Sequence, residues 1–115
     1  MDNGKGFEVK GVTSKLAETG FTPFQLICSS VSLCMAISIE ALLERDALQV
    51  DGVTIKTEAV KAEDSPSRIE RFIVDVQIQG NMDEGVKQKL VKSAERACTI
   101  GNTIERGAEI EINAN

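Results

Sequence analysis

The chain has 115 residues, one domain's worth, with 42% hydrophobic and 27% charged residues and a formal net charge of −5. That balance is globular rather than disordered, and its sign weighs against a nucleic-acid or membrane-surface partner, since neither polyanion attracts an acidic protein. With no His, Trp or Tyr and only four Phe, the chain lacks the commonest general base, the commonest metal ligand and any platform for stacking bases.

Residues Phe7 to Val12 make a short candidate strand, and Thr13 to Phe21 reads as loop. Thr22-Pro23-Phe24-Gln25 then opens a helix. Thr22 sits at the N-cap, Pro23 at the first helical position where a missing N–H costs nothing, and Gln25 at N3, where it can complete a capping box. The helix is predicted to run to about Arg45, roughly 35 Å at ~1.5 Å per residue. From Phe24 to Ile39 it is apolar or small on every face, a pattern that calls for burial all round. A membrane span is the rival reading. It is set aside because the apolar stretch is short and carries Gln25, Ser29, Ser30, Ser32 and Ser38. A chain this small supplies little to enclose such a rod, so a homodimer with the helix near the interface is expected.

Val50 to Val60 alternates, with Val53, Ile55, Thr57 and Ala59 on one face. Ile69 to Gln79 alternates too, with Phe72, Val74, Val76 and Ile78 inward. Period two with β-branched residues predicts half-buried strands, and the link Lys61 to Ser67 makes them an antiparallel hairpin. Gly80-Asn81 is read as the start of a second helix, with Asn81 as cap and Glu84 at N3. Val86, Leu90, Ala94 and Cys98 form its buried stripe, Lys87, Lys89, Lys92 and Arg96 its outer face, and Gly101-Asn102 its end. Ala108, Ile110 and Ile112 alternate in a last short strand. The fold class is α+β in a single domain over residues 1–115.

The three cysteines are Cys28, Cys34 and Cys98. Met1 to Lys10 has no apolar run of the kind a secretory signal needs, so a reducing cytoplasm is expected. Cys34 lies in mid-helix between Ser30 and Ser38 on a stripe of small polar groups. Cys28, six positions earlier, lies about 240° round the helix and is read as core with Phe24, Val31 and Met35. A single buried Cys is most often a small hydrophobe. Two facts favour chemistry for the others. Cys98 sits at a helix end beside Thr99, Gly101 and Asn102, where polar backbone is unavoidable, and its face and that of Cys34 should converge on one interior. Two such thiols can reduce a peroxide: one attacks the O–O bond and becomes a sulfenic acid, and the other condenses with it to a disulfide. The attacking sulfur must be a thiolate, which without His requires Arg, Lys or backbone N–H groups.

The segment Thr22 to Ala36 resembles the signature helix of the OsmC/Ohr family (osmotically inducible protein C and organic hydroperoxide resistance protein): a Pro opens it and a Cys follows eleven positions later, as Cys34 follows Pro23. Ala94-Glu95-Arg96-Ala97-Cys98 is similar to the family's second signature, and the hairpin between them sits in the family's order. The resemblance covers residues 20 to 112. It implies an OsmC-like intertwined homodimer in which antiparallel sheets enclose the long central helices, with active sites at the interface. Cys34 would be the peroxidatic thiol and Cys98 the resolving one, with organic hydroperoxides as substrates, a dithiol as reductant and no metal or bound cofactor. Gln25, Ser30 and Ser38 are the candidate supporting residues. The sequence departs from the family pattern in three places. Phe24 and Gln25 stand where an acid usually follows the Pro, residues 1–21 contain Lys5, Lys10 and Lys15 but no Arg, and Thr99 replaces the Pro after the second Cys. Those departures sustain a second reading, a non-catalytic dimer that binds a small apolar ligand or senses oxidation through Cys34.

Overall fold

A computed structural model describes residues 20–114. The expected strand over Phe7 to Val12 lies outside the described residues. The elements follow in the order α1 (Pro23–Arg45), β1 (Gly52–Lys61), β2 (Ile69–Gln79), α2 (Glu84–Ala97) and α3 (Thr99–Arg106).

The start of α1 is set as its sequence dictates. Thr22 Oγ1 accepts from the Gln25 N–H at 3.1 Å, and Gln25 Oε1 accepts from the Thr22 N–H at 2.9 Å. Two of the helix's orphan donors are thereby satisfied. Thr22→Ala removes one of these bonds and is expected to cost about 1 kcal/mol, seen as a lower urea midpoint with an unchanged slope.

β1 and β2 pair antiparallel, with Val53 opposite Ile78, Ile55 opposite Val76, Thr57 opposite Val74 and Ala59 opposite Phe72. All eight therefore share one face, and that face turns toward the helices. Arg68 fixes the connecting loop, donating to Asp64 Oδ1 at 2.9 Å and to the Pro66 carbonyl at 3.0 Å. The core gathers Met35 and Ile39 from α1, Ile78 from β2, and Leu90, Ala94 and Cys98 from the α2 stripe.

Several expectations are corrected. The second helix begins at Glu84 with Asp83 as its cap residue, not at Asn81, and no side chain caps it. It does not run on to Gly101-Asn102 but ends at Ala97, because Cys98 is extended (φ −74°, ψ 105°) and breaks the ladder. Gly101 and Asn102 lie inside α3, which ends instead at Gly107, whose φ of 76° is one that only glycine adopts without strain. Residues 108–114 form no strand among the described residues, and Ile110 and Ile112 are exposed.

Burial of α1 on all sides does not hold within one chain. Val31, Met35, Ser38 and Ile39 are buried, whereas Leu33 and Ile37 are 64% and 57% exposed and Phe24 is exposed with them. Among the described residues, the hairpin and two shorter helices cover only one side of a rod roughly 35 Å long. The length argument against a membrane span is also corrected, since the 23 residues of α1 are long and apolar enough to cross one. In this fold, however, α1 is a core helix, packed on β1, α2 and α3.

Candidate functional site: two thiols at a helix break

Cys34 lies on the α1 face that meets α2 and α3, and Cys98 occupies the break between those two helices. The break brings the pair together. By leaving the helical conformation, Cys98 turns its side chain over the first turn of α3, where its sulfur accepts from the Gly101 N–H at 3.3 Å and serves as the N-cap. The unpaired N–H groups of a helix's first turn then face the site. Those of Ile100 and Thr99 lie near enough to the Cys34 sulfur to favour its charged form, and the Cys34 and Cys98 side chains are neighbours there. A Cβ at Gly101 would lie 3.3 Å from the Cys98 sulfur, so a glycine there leaves the thiol its room.

This environment separates the two thiols. The Cys34 thiol is held below its ordinary pKa, chiefly by the Ile100 N–H, against a smaller opposing effect of burial. The neighbouring Cys98 side chain and the Thr99 N–H add to the lowering. The Cys98 thiol is pushed up, first by burial, since it is only 2% exposed, and then by the neighbouring Cys34, although the Gly101 N–H opposes. The half-buried thiol therefore ionises before the buried one, and its negative charge rests on aligned backbone donors.

The stability consequence differs in sign for the two. A Cys34 thiol that releases its proton more readily in the folded than in the unfolded chain makes stability rise with pH between its folded and unfolded pKa values. Cys98, whose folded pKa is raised, contributes stability that is lost as pH climbs through that folded value.

Beneath Cys98 lies a cavity of about 630 Å³. Val31, Met35, Phe72, Val74, Val76 and Val91 give it apolar walls, while Glu70, Arg71, Glu95 and Glu105 supply its charge. That volume suits a small organic molecule.

The candidate supporting residues separate. Gln25 is exposed and is occupied by the capping box, far along α1 from Cys34. Ser30 is half-buried and Ser38 buried on the Cys34 stripe. Cys28 is not packed with the core as expected. It is half-buried and lines a separate groove between α1 and β1, near Ser32, whose hydroxyl is 2.7 Å from that of Thr57. Arg96 and Arg106, which flank Cys98 in sequence, are exposed. Sequence reasoning missed the donors at Thr99 and Ile100, because it carried the second helix past Cys98. It also missed Arg71, the one arginine lining the cavity. The polar backbone expected beside Cys98 was the available signal for those donors.

Comparison with known proteins agrees with this architecture. The family model described as OsmC-like protein matches residues 16–113. No curated protein matches the chain. Among solved structures, an OsmC-like protein from Mycoplasma pneumoniae superposes with a TM-score of 0.80 at 13% identity, covering 96% of this chain and 82% of that one. An organic hydroperoxide resistance protein OsmC from Legionella pneumophila gives 0.60 at 22% identity over 76% and 64%. The organic hydroperoxide resistance protein OhrB of Bacillus subtilis gives 0.57 at 22% identity over 78% and 66%. The chain thus spans slightly less than two thirds of the last two. With the family model matching nearly the whole sequence and the same α+β architecture recurring in these structures, the chain belongs to the OsmC-like protein family.

Proposed function

We propose that the protein reduces organic hydroperoxides through its paired thiols. The observation that carries this reading is the contact between Cys34 and Cys98 at a helix break whose free N–H groups face Cys34. The Cys34 thiolate attacks one oxygen of ROOH. The O–O bond breaks, and the products are Cys34 sulfenic acid and an alkoxide, which takes a proton to leave as ROH. Cys98, the neighbour of Cys34, displaces water from the sulfenic acid to form the Cys34–Cys98 disulfide. A dithiol reductant restores both thiols by exchange. Backbone donors take over the activating role of the acid and guanidinium that the sequence lacks near Pro23. The work is done in a reducing cytoplasm by a homodimer, in which a second copy covers the exposed α1 face of Leu33 and Ile37.

The direct test is consumption of cumene hydroperoxide by the protein with excess dithiol. A rate no greater than that of the dithiol alone overturns the peroxidase. Alkylation against pH tests the activation separately. Cys34 is expected to be labelled below the ~8.5 of a free thiol and ahead of Cys98, as mass spectrometry of peptides would show.

A second reading has its own observation in the cavity beneath Cys98 and in the exposure of Arg96 and Arg106, which leaves the pair without a guanidinium partner from its own helices. In that reading the dimer binds an apolar ligand or senses oxidation at Cys34 without turning over. Cys34 would then oxidise once per chain with no sustained consumption.

A further inference from the structure

Attack of the Cys34 thiolate on the terminal oxygen of ROOH expels an alkoxide, a far stronger base than a thiolate, so some group must hand it a proton as the O–O bond breaks. The position of the two sulfurs bears on which group does so. Cys98 lines the cavity, whereas Cys34 packs beside it and is not part of that wall. A hydroperoxide whose organic group lies in the cavity, and whose terminal oxygen reaches Cys34, therefore carries its inner oxygen past Cys98. That inner oxygen is the one that becomes the alkoxide.

Few groups at the cavity can supply the proton. Glu70, Glu95 and Glu105 are exposed, and an ionised carboxylate only accepts. The Arg71 guanidinium does not release its protons. The other lining side chains are apolar, so among the described residues Cys98 is the one lining side chain with a transferable proton. Its sulfur accepts from the Gly101 N–H at 3.3 Å, which leaves its own S–H free to donate elsewhere. Burial holds that proton on the sulfur until a base stronger than water arrives. When it leaves, negative charge develops on a sulfur that already faces the Gly101 N–H, a donor fixed in the first turn of α3 before the reaction begins.

We infer that Cys98 acts twice: first as the general acid that protonates the departing alkoxide, then, as the thiolate so formed, as the nucleophile that closes the disulfide. In the first step the S–O bond forms at Cys34 and the O–O bond breaks, so that the sulfur is oxidised and the peroxide reduced by two electrons. The Cys98 S–H bond breaks as the RO–H bond forms, and ROH leaves. In the second step the Cys98 sulfur attacks the Cys34 sulfur, the S–S bond forms, and the hydroxide expelled takes a proton from solvent to leave as water. The inference deepens the proposed function and rests on it. A thiol that only resolves has no part in the first step, so the two roles separate in the rate at which Cys34 is oxidised.

The test is the single-turnover rate of Cys34 oxidation in the full chain, followed by quenching with an alkylating agent and mass spectrometry of the Cys34 peptide. Two oxidants are compared. Cumene hydroperoxide expels an alkoxide, which needs a proton, and peroxybenzoic acid expels benzoate, which needs none. Cys98→Ala is expected to slow oxidation by cumene hydroperoxide about 100-fold while leaving that by peroxybenzoic acid within about threefold of the wild type. Cys98→Ser keeps a hydroxyl and should lose less, about tenfold with cumene hydroperoxide, and it serves if alanine loosens the core. Equal losses with the two oxidants are what a displaced α3 or a misfolded chain produces, and they overturn the general acid, as does no loss with either. Such a result in a chain whose wild type consumes hydroperoxide leaves the peroxidase standing. A wild type whose Cys34 cumene hydroperoxide does not oxidise overturns the peroxidase and this role with it.

Discussion

Cys34→Ser is expected to abolish hydroperoxide consumption, whereas Cys98→Ser should leave a single turnover and a sulfenic acid on Cys34 that dimedone traps. The asymmetry follows from the environments of the two sulfurs. Cys34 ionises more readily because the Ile100 and Thr99 N–H groups stabilise its charge, and the sulfur that more readily becomes a thiolate is the one that attacks. Cys98 is buried, ionises less readily and waits as the partner that closes the disulfide. A hydroxyl at position 34 has no comparable acidity, so the loss should be complete rather than partial. Mass spectrometry after one equivalent of hydroperoxide distinguishes the outcomes. The dimedone adduct should appear on Cys34 in Cys98→Ser, and a Cys34–Cys98 disulfide in the wild type. An adduct found on Cys98 in Cys34→Ser, with consumption retained, would reverse the roles of the two thiols.

The second large effect concerns stability. Ile39→Ala should cost about 2–5 kcal/mol, a large share of the roughly 5–15 kcal/mol that separates folded from unfolded chains of this kind. Ile39 is 1% exposed and packs in the cluster that also holds Met35, Ile78, Leu90, Ala94 and Cys98. Truncation removes apolar contacts and leaves a cavity beside the wall that supports Cys98, so a loss of urea stability should be accompanied by faster alkylation of Cys98. Ile37, two residues earlier and 57% exposed, is the control. In a lone chain Ile37→Ala should change stability by no more than about 0.5 kcal/mol. A substantially larger loss, together with a midpoint that depends on protein concentration, is what a covering second copy produces.

Local rules accounted for the elements whose sequences state their own conformation. The Thr22-Pro23-Phe24-Gln25 cap marked the start of α1, and alternation from Val53 to Ala59 and from Phe72 to Ile78 marked the hairpin and its inward face. Spacing along α1 also separated Cys28 from Cys34, because helical geometry depends only on residue number. The end of α2 was not legible in this way. Nothing between Arg96 and Ile100 reads as a stop, since Cys98 leaves the helix only when its sulfur finds the Gly101 N–H and its side chain finds the core. That break decides the candidate site, because it aims the Thr99 and Ile100 donors at a sulfur more than sixty residues away. The tail from Ala108 to Ile112 shows the opposite failure. Its alternation reads as a strand, but a strand exists only with a neighbour to share its hydrogen bonds, and none pairs with it among the described residues. The sequence by itself thus determined the cap of α1, the alternation of the hairpin and the family, which depend on neighbours along the chain. The tertiary structure alone decided which sulfur ionises first and where a ligand can lie, because charge, burial and the opening between β2 and α2 come from residues that meet only after folding.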